Sequence, residues 1–401
     1  MNSEWKEYKL DEIANIVDCE HKTAPTVDKS EYYSIRTPNI ADGRIDFDNS
    51  NRISYETYLK WTQRAVPKEG DIILAREAPV GAVGLVKKGY KVCLGQRTVL
   101  ISVNCKDCNS EYLLYYLVNP DVKQRLISRT TGSVVSHLNV KDIRSFTVHL
   151  PSLPEQKRIA EILSSLDDKI ELNNKMNKNL EEMAQTIFKQ WFVNFEFPDE
   201  NGNPYKSSGG KMIQSELGEI PVGWSVGRLY DLIELNYGKA LKENLRNGNE
   251  YPVYGSSGVV GFHNEYLVNA PGIIIGRKGT LGKVLYSYDN FWAIDTTYYI
   301  KSKTEKSNYL FEYFMLKSID FKEFNSDSAV PGLNRNVAHA HNCVIPAKGE
   351  ILKFNSAFQN IFKKIKSNID EIESLTRTRD QLLPKLMNGE INLEVEIDKS
   401  Y

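Results

Sequence analysis

The residues that could do chemistry in this chain form sparse groups, each short of a complete catalytic set. Asn203-Pro204-Tyr205 approaches the Asn/Asp-Pro-Pro-Tyr/Phe loop that holds a flipped adenine for methyl transfer, but the second proline is missing. Gly276 and Gly282-Lys283 enclose five residues where a phosphate-binding loop has four, and Val284 stands where Ser or Thr would meet magnesium. Pro120-Asp121 with Glu155-Gln156-Lys157 faintly echoes a nuclease metal site, yet Ser152, three residues before Glu155, makes a helix capping box the better reading. Cys105 and Cys108 form one Cys-x-x-Cys, and zinc needs a second ligand pair that is not nearby. The six histidines give no triad; His339 and His341 could share a strand face. Neither a catalytic residue nor a metal ligand set is expected.

The elements around these groups are far better marked. Ile159, Leu163, Leu166, Ile170, Asn173, Asn177, Leu180, Ala184, Ile187 and Trp191 step by alternating fours and threes. So do Phe354, Phe358, Ile361, Ile365, Asn368, Ile372, Leu375, Arg379, Leu382 and Leu386, each 195 positions on (354 minus 159). A mean step of ~3.5 residues is the period of a coiled-coil seam. The first helix should start at Ser152 and Pro154 and run to about Phe195, ~40 residues or ~60 Å. The second should run from about Glu350 to Met387, stopped by Asn388-Gly389. Two stripes of equal length, in register, predict that the helices pack on each other. Asn173, Asn177 and Asn368 at the middle of the seam fix register, because misalignment strands an amide against aliphatic side chains. Their central placement suits an antiparallel pair, with Asn177 facing Asn368. Such a pair would carry two domains to opposite ends, a geometry fitted to two short sites about one turn of duplex (~34 Å) apart.

The segments before the helices also repeat. Trp5 with Leu10 parallels Trp224 with Leu229, Gly70 to Arg76 parallels Gly272 to Arg277, and Ser110 to Tyr116 parallels Ser307 to Tyr313. Leu138-Asn139 parallels Leu333-Asn334, and Leu150-Pro151 parallels Ile345-Pro346. The offset drifts from 219 at the tryptophans (224 minus 5) to 195 at the helices, so insertions fall in the globular halves. Short β-rich runs (Asp71 to Leu74, Val99 to Val103, Gly272 to Ile275, Thr296 to Ile300) surround one amphipathic helix per half, around Tyr112 to Leu117 and Tyr309 to Leu316. Each half reads as an α+β domain. Residues 198–221, rich in Gly, Ser, Asn and Asp, read as a linker or exposed excursion.

Composition bounds the function more loosely. With 401 residues the chain has room for two or three cores, and five cysteines at no framework spacing agree with a reducing compartment. No apolar run approaches the roughly 18 residues that span a bilayer, and Met1 to Tyr8 is polar, so a cytoplasmic protein is expected. The formal charge of -1 neither announces nor excludes a nucleic-acid partner.

Two globular halves each followed by a long helix, the run Leu150 to Ile170 (LPSLPEQKRIAEILSSLDDKI) and Trp191 to Pro198 (WFVNFEFP) resemble the DNA-specificity subunit of type I restriction-modification enzymes. In the second half Tyr254-Gly-Ser-Ser-Gly258, Gly276-Arg-Lys-Gly279 and Asp295-Thr-Thr-Tyr298 are similar to one common class of target-recognition domain in that family. The first half departs from that class, with Ala75-Arg76-Glu77 and Gly95-Gln-Arg-Thr98 at the matching places. The resemblance implies an α+β fold: target-recognition domains over 1–150 and 222–347, and spacer helices over 151–197 and 348–389 that form an antiparallel coiled coil with pseudo-two-fold internal repetition. A linker (198–221) and a C-terminal tail (390–401) complete it.

It also implies a non-catalytic prokaryotic subunit whose domains each read half of a split, asymmetric target in double-stranded DNA. The helices would set the spacing and dock two methyltransferase subunits, joined in the full complex by restriction-translocase subunits. S-adenosylmethionine, ATP and Mg are then expected in the partners and no cofactor in this chain. Base and phosphate contacts call for Arg, Lys, amide and hydroxyl side chains beside glycine-rich turns. In the first domain these are Arg76, Gln96, Arg97, Thr98, Ser133, Ser136, His137 and Asn139; in the second, Tyr254, Ser256, Ser257, Arg277, Lys278, Thr296, Thr297, Asn334 and Arg335. Arg76 and Arg277 could instead pair with carboxylates of the scaffold.

Overall fold

The apolar runs read as strands are central strands of two small sheets with the same order. The computed structural model describes residues 5–41, 43–130, 137–324, 332–391 and 393, and it divides into two compact units. Met1–Leu172 with Glu371–Tyr401 make the first, Asn173–Asp370 the second. The first unit's sheet runs Ala14–Asp18, Thr98–Val103, Ile72–Ala75, Val83–Leu85; the second's runs Ile233–Tyr237, Thr297–Ser302, Gly272–Gly276, Val284–Ser287. All neighbours in both sheets are antiparallel.

The duplication extends to the smaller sheets. Each unit has a three-stranded sheet with one parallel pair, Tyr32–Ile35 beside Lys91–Leu94 and Tyr251–Gly255 beside Trp292–Ala293. Each also has a two-stranded ribbon, Lys6–Lys9 with Thr147–Leu150 and Ser225–Arg228 with Asn342–Ile345. Ile72-Ile-Leu-Ala75 is buried throughout because both faces of its sheet are covered: Ile72 and Leu74 join one core, Ile73 and Ala75 another.

The long helices span Leu153–Phe192 and Lys348–Met387, 40 residues each. The first ends three residues earlier than its sequence pattern suggests. Phe195 takes a left-handed φ of 63°, and the alternating stretch Val193 to Phe197 turns back so that Phe197 stacks on Trp224 and Tyr205 at 5.2 and 4.5 Å. The second starts two residues early and stops at Met387, just before Gly389, whose φ of 71° favours glycine.

Within each unit the helix segments run antiparallel, as the seam predicts. In the second unit Ala184 and Phe188 share a core with Phe354, Phe358 and Phe362, and the Trp191 and Phe354 rings lie 5.7 Å apart. Farther back along the first helix, Asn368 donates from Nδ2 to Asn177 Oδ1 at 2.7 Å. In the first unit Ile159, Ala160 and Leu163 pack with Leu383, Leu386 and Met387.

The seam is wider than a period of 3.5 implies: Phe188, Phe192 and Phe362 are buried beside it, because each helix also covers a globular lobe. The short helices are likewise corrected. Ser110–Val118 and Leu310–Lys317 are buried nearly all round rather than amphipathic, since sheet and long helices enclose them, and Pro120–Ile127 adds another helix in the first unit. Residues 198–221 are largely exposed but carry a hairpin, Met212–Ser215 with Gly218–Pro221. Among the described residues no helix is long and apolar enough to cross a membrane.

Candidate nucleic-acid interface

One backbone frame, built twice, holds an arginine at the end of a central strand. Arg76 donates its N–H to Arg97 O at 2.9 Å and accepts from Leu138 N at 3.1 Å; Arg277 donates to Thr296 O at 2.9 Å and accepts from Leu333 N at 3.0 Å. The loop after each arginine closes through Gly81 N to Ala75 O and Gly282 N to Gly276 O, both 2.9 Å. In the second unit this closure is tight: a Cβ on Gly276 would lie 2.0 Å from the Thr280 carbonyl. Thr98 and Thr297 begin the neighbouring strands, fully buried, their hydroxyls donating to Gly95 O and Ile294 O at 2.7 and 2.8 Å. Those two expected DNA contacts are therefore corrected; both threonines fasten the frame from inside.

In the second unit the frame opens into a cleft of about 340 Å³ lined by Tyr237, Arg277, Lys278, Tyr298, Asn334 and Arg335 among others. The Arg277 and Arg335 guanidinium groups each stand 4.9 Å from the half-exposed Tyr237 ring, a cation–π arrangement that orients both without neutralising them. Arg277 donates to the Asp295 carbonyl at 3.1 Å. Among the described residues no carboxylate pairs with Arg277, Lys278 or Arg335, and Arg335 Nε is buried with no hydrogen-bond partner. Asn334 spends its side-chain oxygen capping a short helix, accepting from Asn336 N and Val337 N, which leaves its amide hydrogens for a ligand.

The turn Tyr254 to Gly258 buttresses the arginine loop. Ser256 Oγ accepts from Thr280 N at 3.4 Å, and Lys283 Nζ donates to Ser257 O at 2.7 Å. Thr296 serves through its carbonyl, which receives both Arg277 N and Lys278 N. Tyr254 is a correction: its ring packs edge-on against Phe291 in an apolar cluster, and burial pushes its phenol pKa up, so it forms a wall of the turn.

The first unit places the same frame in a self-paired lattice. Arg76 donates from Nη1 to Asp18 Oδ1 and Oδ2 at 2.9 and 3.2 Å and from Nε to Leu138 O at 2.7 Å, with 13% of its side chain exposed. A free Arg76 reaching DNA is thus corrected to the scaffold pairing. Arg97, held at a left-handed φ of 69°, pairs with Glu77 at 2.9 Å. Gln96 accepts from Thr23 Oγ1 and donates to His21 O, Asn139 donates to Asp142, and His137 is half-buried beside Leu138. Ser133 and Ser136 lie outside the described residues.

Asp18, Cys19 and His21 bring three ligand-type atoms within 4.8 Å, but Arg76 and His21 already occupy both Asp18 oxygens. Burial pushes the Cys108 thiol up to about 12, away from the thiolate that metal binding needs. His339 ends the short helix Arg335–His339, not a strand, and accepts from Leu235 N at 2.9 Å. Asp18 and Tyr237 escaped sequence reasoning, although an offset of 219 already aligned them, whereas Glu77 and Tyr298 stand inside its motifs.

Comparison with known proteins is consistent throughout. A family model described as the type I restriction modification DNA specificity domain matches residues 2–182 and 221–378. Over 97% of its length the chain is 27% identical to the type I restriction enzyme MjaIX specificity subunit of Methanocaldococcus jannaschii, covering 94% of that protein. It is 23% identical to the HindI specificity subunit of Haemophilus influenzae, covering 97% of this chain and 100% of the relative. The crystal structure of a type I restriction-modification S subunit from M. genitalium shares the fold, with a TM-score of 0.58 at 18% identity over 96% of this chain and 97% of that one.

Proposed function

The chain belongs to the type I restriction-modification DNA specificity family, and we propose that its two units each read one half of a bipartite, asymmetric target in double-stranded DNA. The observation that carries this reading is one frame built twice with different chemistry at its mouth: an unneutralised cationic cleft around Arg277 and an ion-paired lattice around Arg76. Equivalent scaffolds present the two surfaces in the same way, and different side chains select different bases. Arg277, Lys278 and Arg335 supply donors to base edges and phosphates, so affinity falls as salt rises.

The long helices set the spacing between half-sites and dock two methyltransferase subunits, to which restriction subunits add in the full complex. The incomplete catalytic motifs support a chain that reads DNA without transforming it. Adenine methylation with S-adenosylmethionine and ATP- and Mg-dependent translocation then belong to the partners. The test is to co-express the chain with its methyltransferase in a host lacking adenine methylation and to map methylated adenines. A split motif is expected; a continuous motif, or methylation by this chain alone, would overturn the reading.

A further inference from the structure

We infer that one cross-strand position, Asp18 in the first unit and Tyr237 in the second, decides which kind of base edge each unit accepts. The inference rests on the reading of the chain as a two-part DNA reader. Asp18 pairs across the sheet with Val99, and Tyr237 pairs with Tyr298. Both pairs stand beside the strand that ends at the frame arginine. The two substitutions act together. In the first unit Asp18 binds the Arg76 guanidinium and the Leu138 carbonyl takes its Nε. In the second, Tyr298 Oη donates to the equivalent Leu333 carbonyl at 2.9 Å, so that acceptor no longer claims the arginine. Tyr237 offers Arg277 a ring face in place of a carboxylate.

The consequence is a reversal of hydrogen-bond polarity at the mouth. Arg277 keeps unspent N–H donors in a fork that matches two adjacent acceptors, and guanine O6 and N7 in the major groove provide that pair. In the first unit the group left at the mouth is the Asp18 carboxylate, whose oxygens accept from Arg76 Nη1, Cys19 N and His21 Nε2; the His21 ring, 59% exposed, is the partner that a base amine displaces from Oδ2. A carboxylate accepts from an exocyclic amine, so this unit takes cytosine N4 or adenine N6 at the matching position. Neighbouring residues keep to the same division: Lys278 and Arg335 in the second unit stand where the first has Glu77 and Val140.

Methylation mapping of the full chain with its methyltransferase tests this. Tyr237→Asp is expected to lower the preference for guanine at one position of one half-site at least tenfold, and the other half-site stays unchanged as a report on folding. Asp18→Asn, nearly isosteric, is expected to relax the amine-bearing base at one position of the opposite half-site. Unchanged preferences, or both half-sites degrading together in Asp18→Asn, would overturn the inference. Should Tyr237→Asp abolish methylation altogether, Asp18→Asn alone decides. A wild-type chain giving no split motif would instead refute the underlying DNA-reading assignment.

Discussion

Asp167 on the first long helix offers a sharp test of what holds the first unit together. Its carboxylate accepts from Arg379 Nη1 at 2.8 Å on the second long helix, from Arg44 Nη2 at 3.0 Å on the recognition lobe and from Tyr115 Oη at 2.9 Å. Side-chain exposures of 12% for Asp167, 18% for Arg379 and 30% for Arg44 put the network between the buried and surface regimes. Removing one partner of a buried pair costs about 3 to 5 kcal/mol, and an exposed pair under about 1. Arg379 retains Asp380 at 2.8 Å and Arg44 reaches solvent, so Asp167→Asn should cost about 2 to 3 kcal/mol. At 1.36 kcal/mol per decade that is roughly a 30- to 150-fold gain in amide exchange through local opening. Hydrogen exchange read over 160–170 and 375–386 should show it, with 354–365 in the second unit unchanged. An acceleration under about threefold, or one shared equally by both units, would refute the reasoning. The positions 195 away from Asp167 and Arg379 hold buried Phe362 and Ala184, so helix pairing itself does not require the charges.

Arg277→Ala should lose about 1 to 3 kcal/mol of discrimination at one base of one half-site, read by competition binding, and unchanged affinity and preference would remove Arg277 from the interface. Glu312 is fully buried among core residues, and burial holds its carboxyl pKa above the ordinary 4.5, against the pull of the Ser302 and Ser307 hydroxyls. A raised folded-state pKa means its contribution is full below about pH 4.5 and lost as pH rises through the folded value. Glu312→Gln should therefore gain more urea resistance over wild type at pH 8 than at pH 5, and equal gains would show that the carboxyl is not desolvated. Seven residues inserted between Asn173 and Asn177, with seven at the equivalent place in the second helix, should lengthen the spacer by about 10 Å, roughly three base pairs. An unchanged spacer in the methylation map would remove the helices as the ruler.

The scaffold was legible in the sequence because it rests on periodicity and on a repeated offset, which survive without tertiary knowledge. The Asn177–Asn368 bond and the twin strands Ile72–Ala75 and Gly272–Gly276 follow from that pattern. The end of the first helix did not, since neither Gly nor Pro interrupts Val193 to Phe197 and only the fold decides that it turns. The mouth of each site was harder still. Whether Arg76 is free depends on Asp18, 58 positions away, and the burial of Thr98 and Thr297 depends on carbonyls three residues back whose direction no side-chain type reveals.

The division of the long helices also sets an order of assembly during synthesis. The second unit is continuous from Asn173 to Asp370, whereas the core of the first is completed by Leu383, Leu386 and Met387. The unit that begins to emerge from the ribosome first is thus the last to be finished. Until then Ile159 and Leu163 lack the helix that covers them, and the ionic clasp at Asp167 lacks Arg379. Domains usually mature in the order in which they are made. Here the intervening unit can fold as a finished insert, bringing the two distant parts of its neighbour within reach of each other, so damage to its core would delay the closure of both.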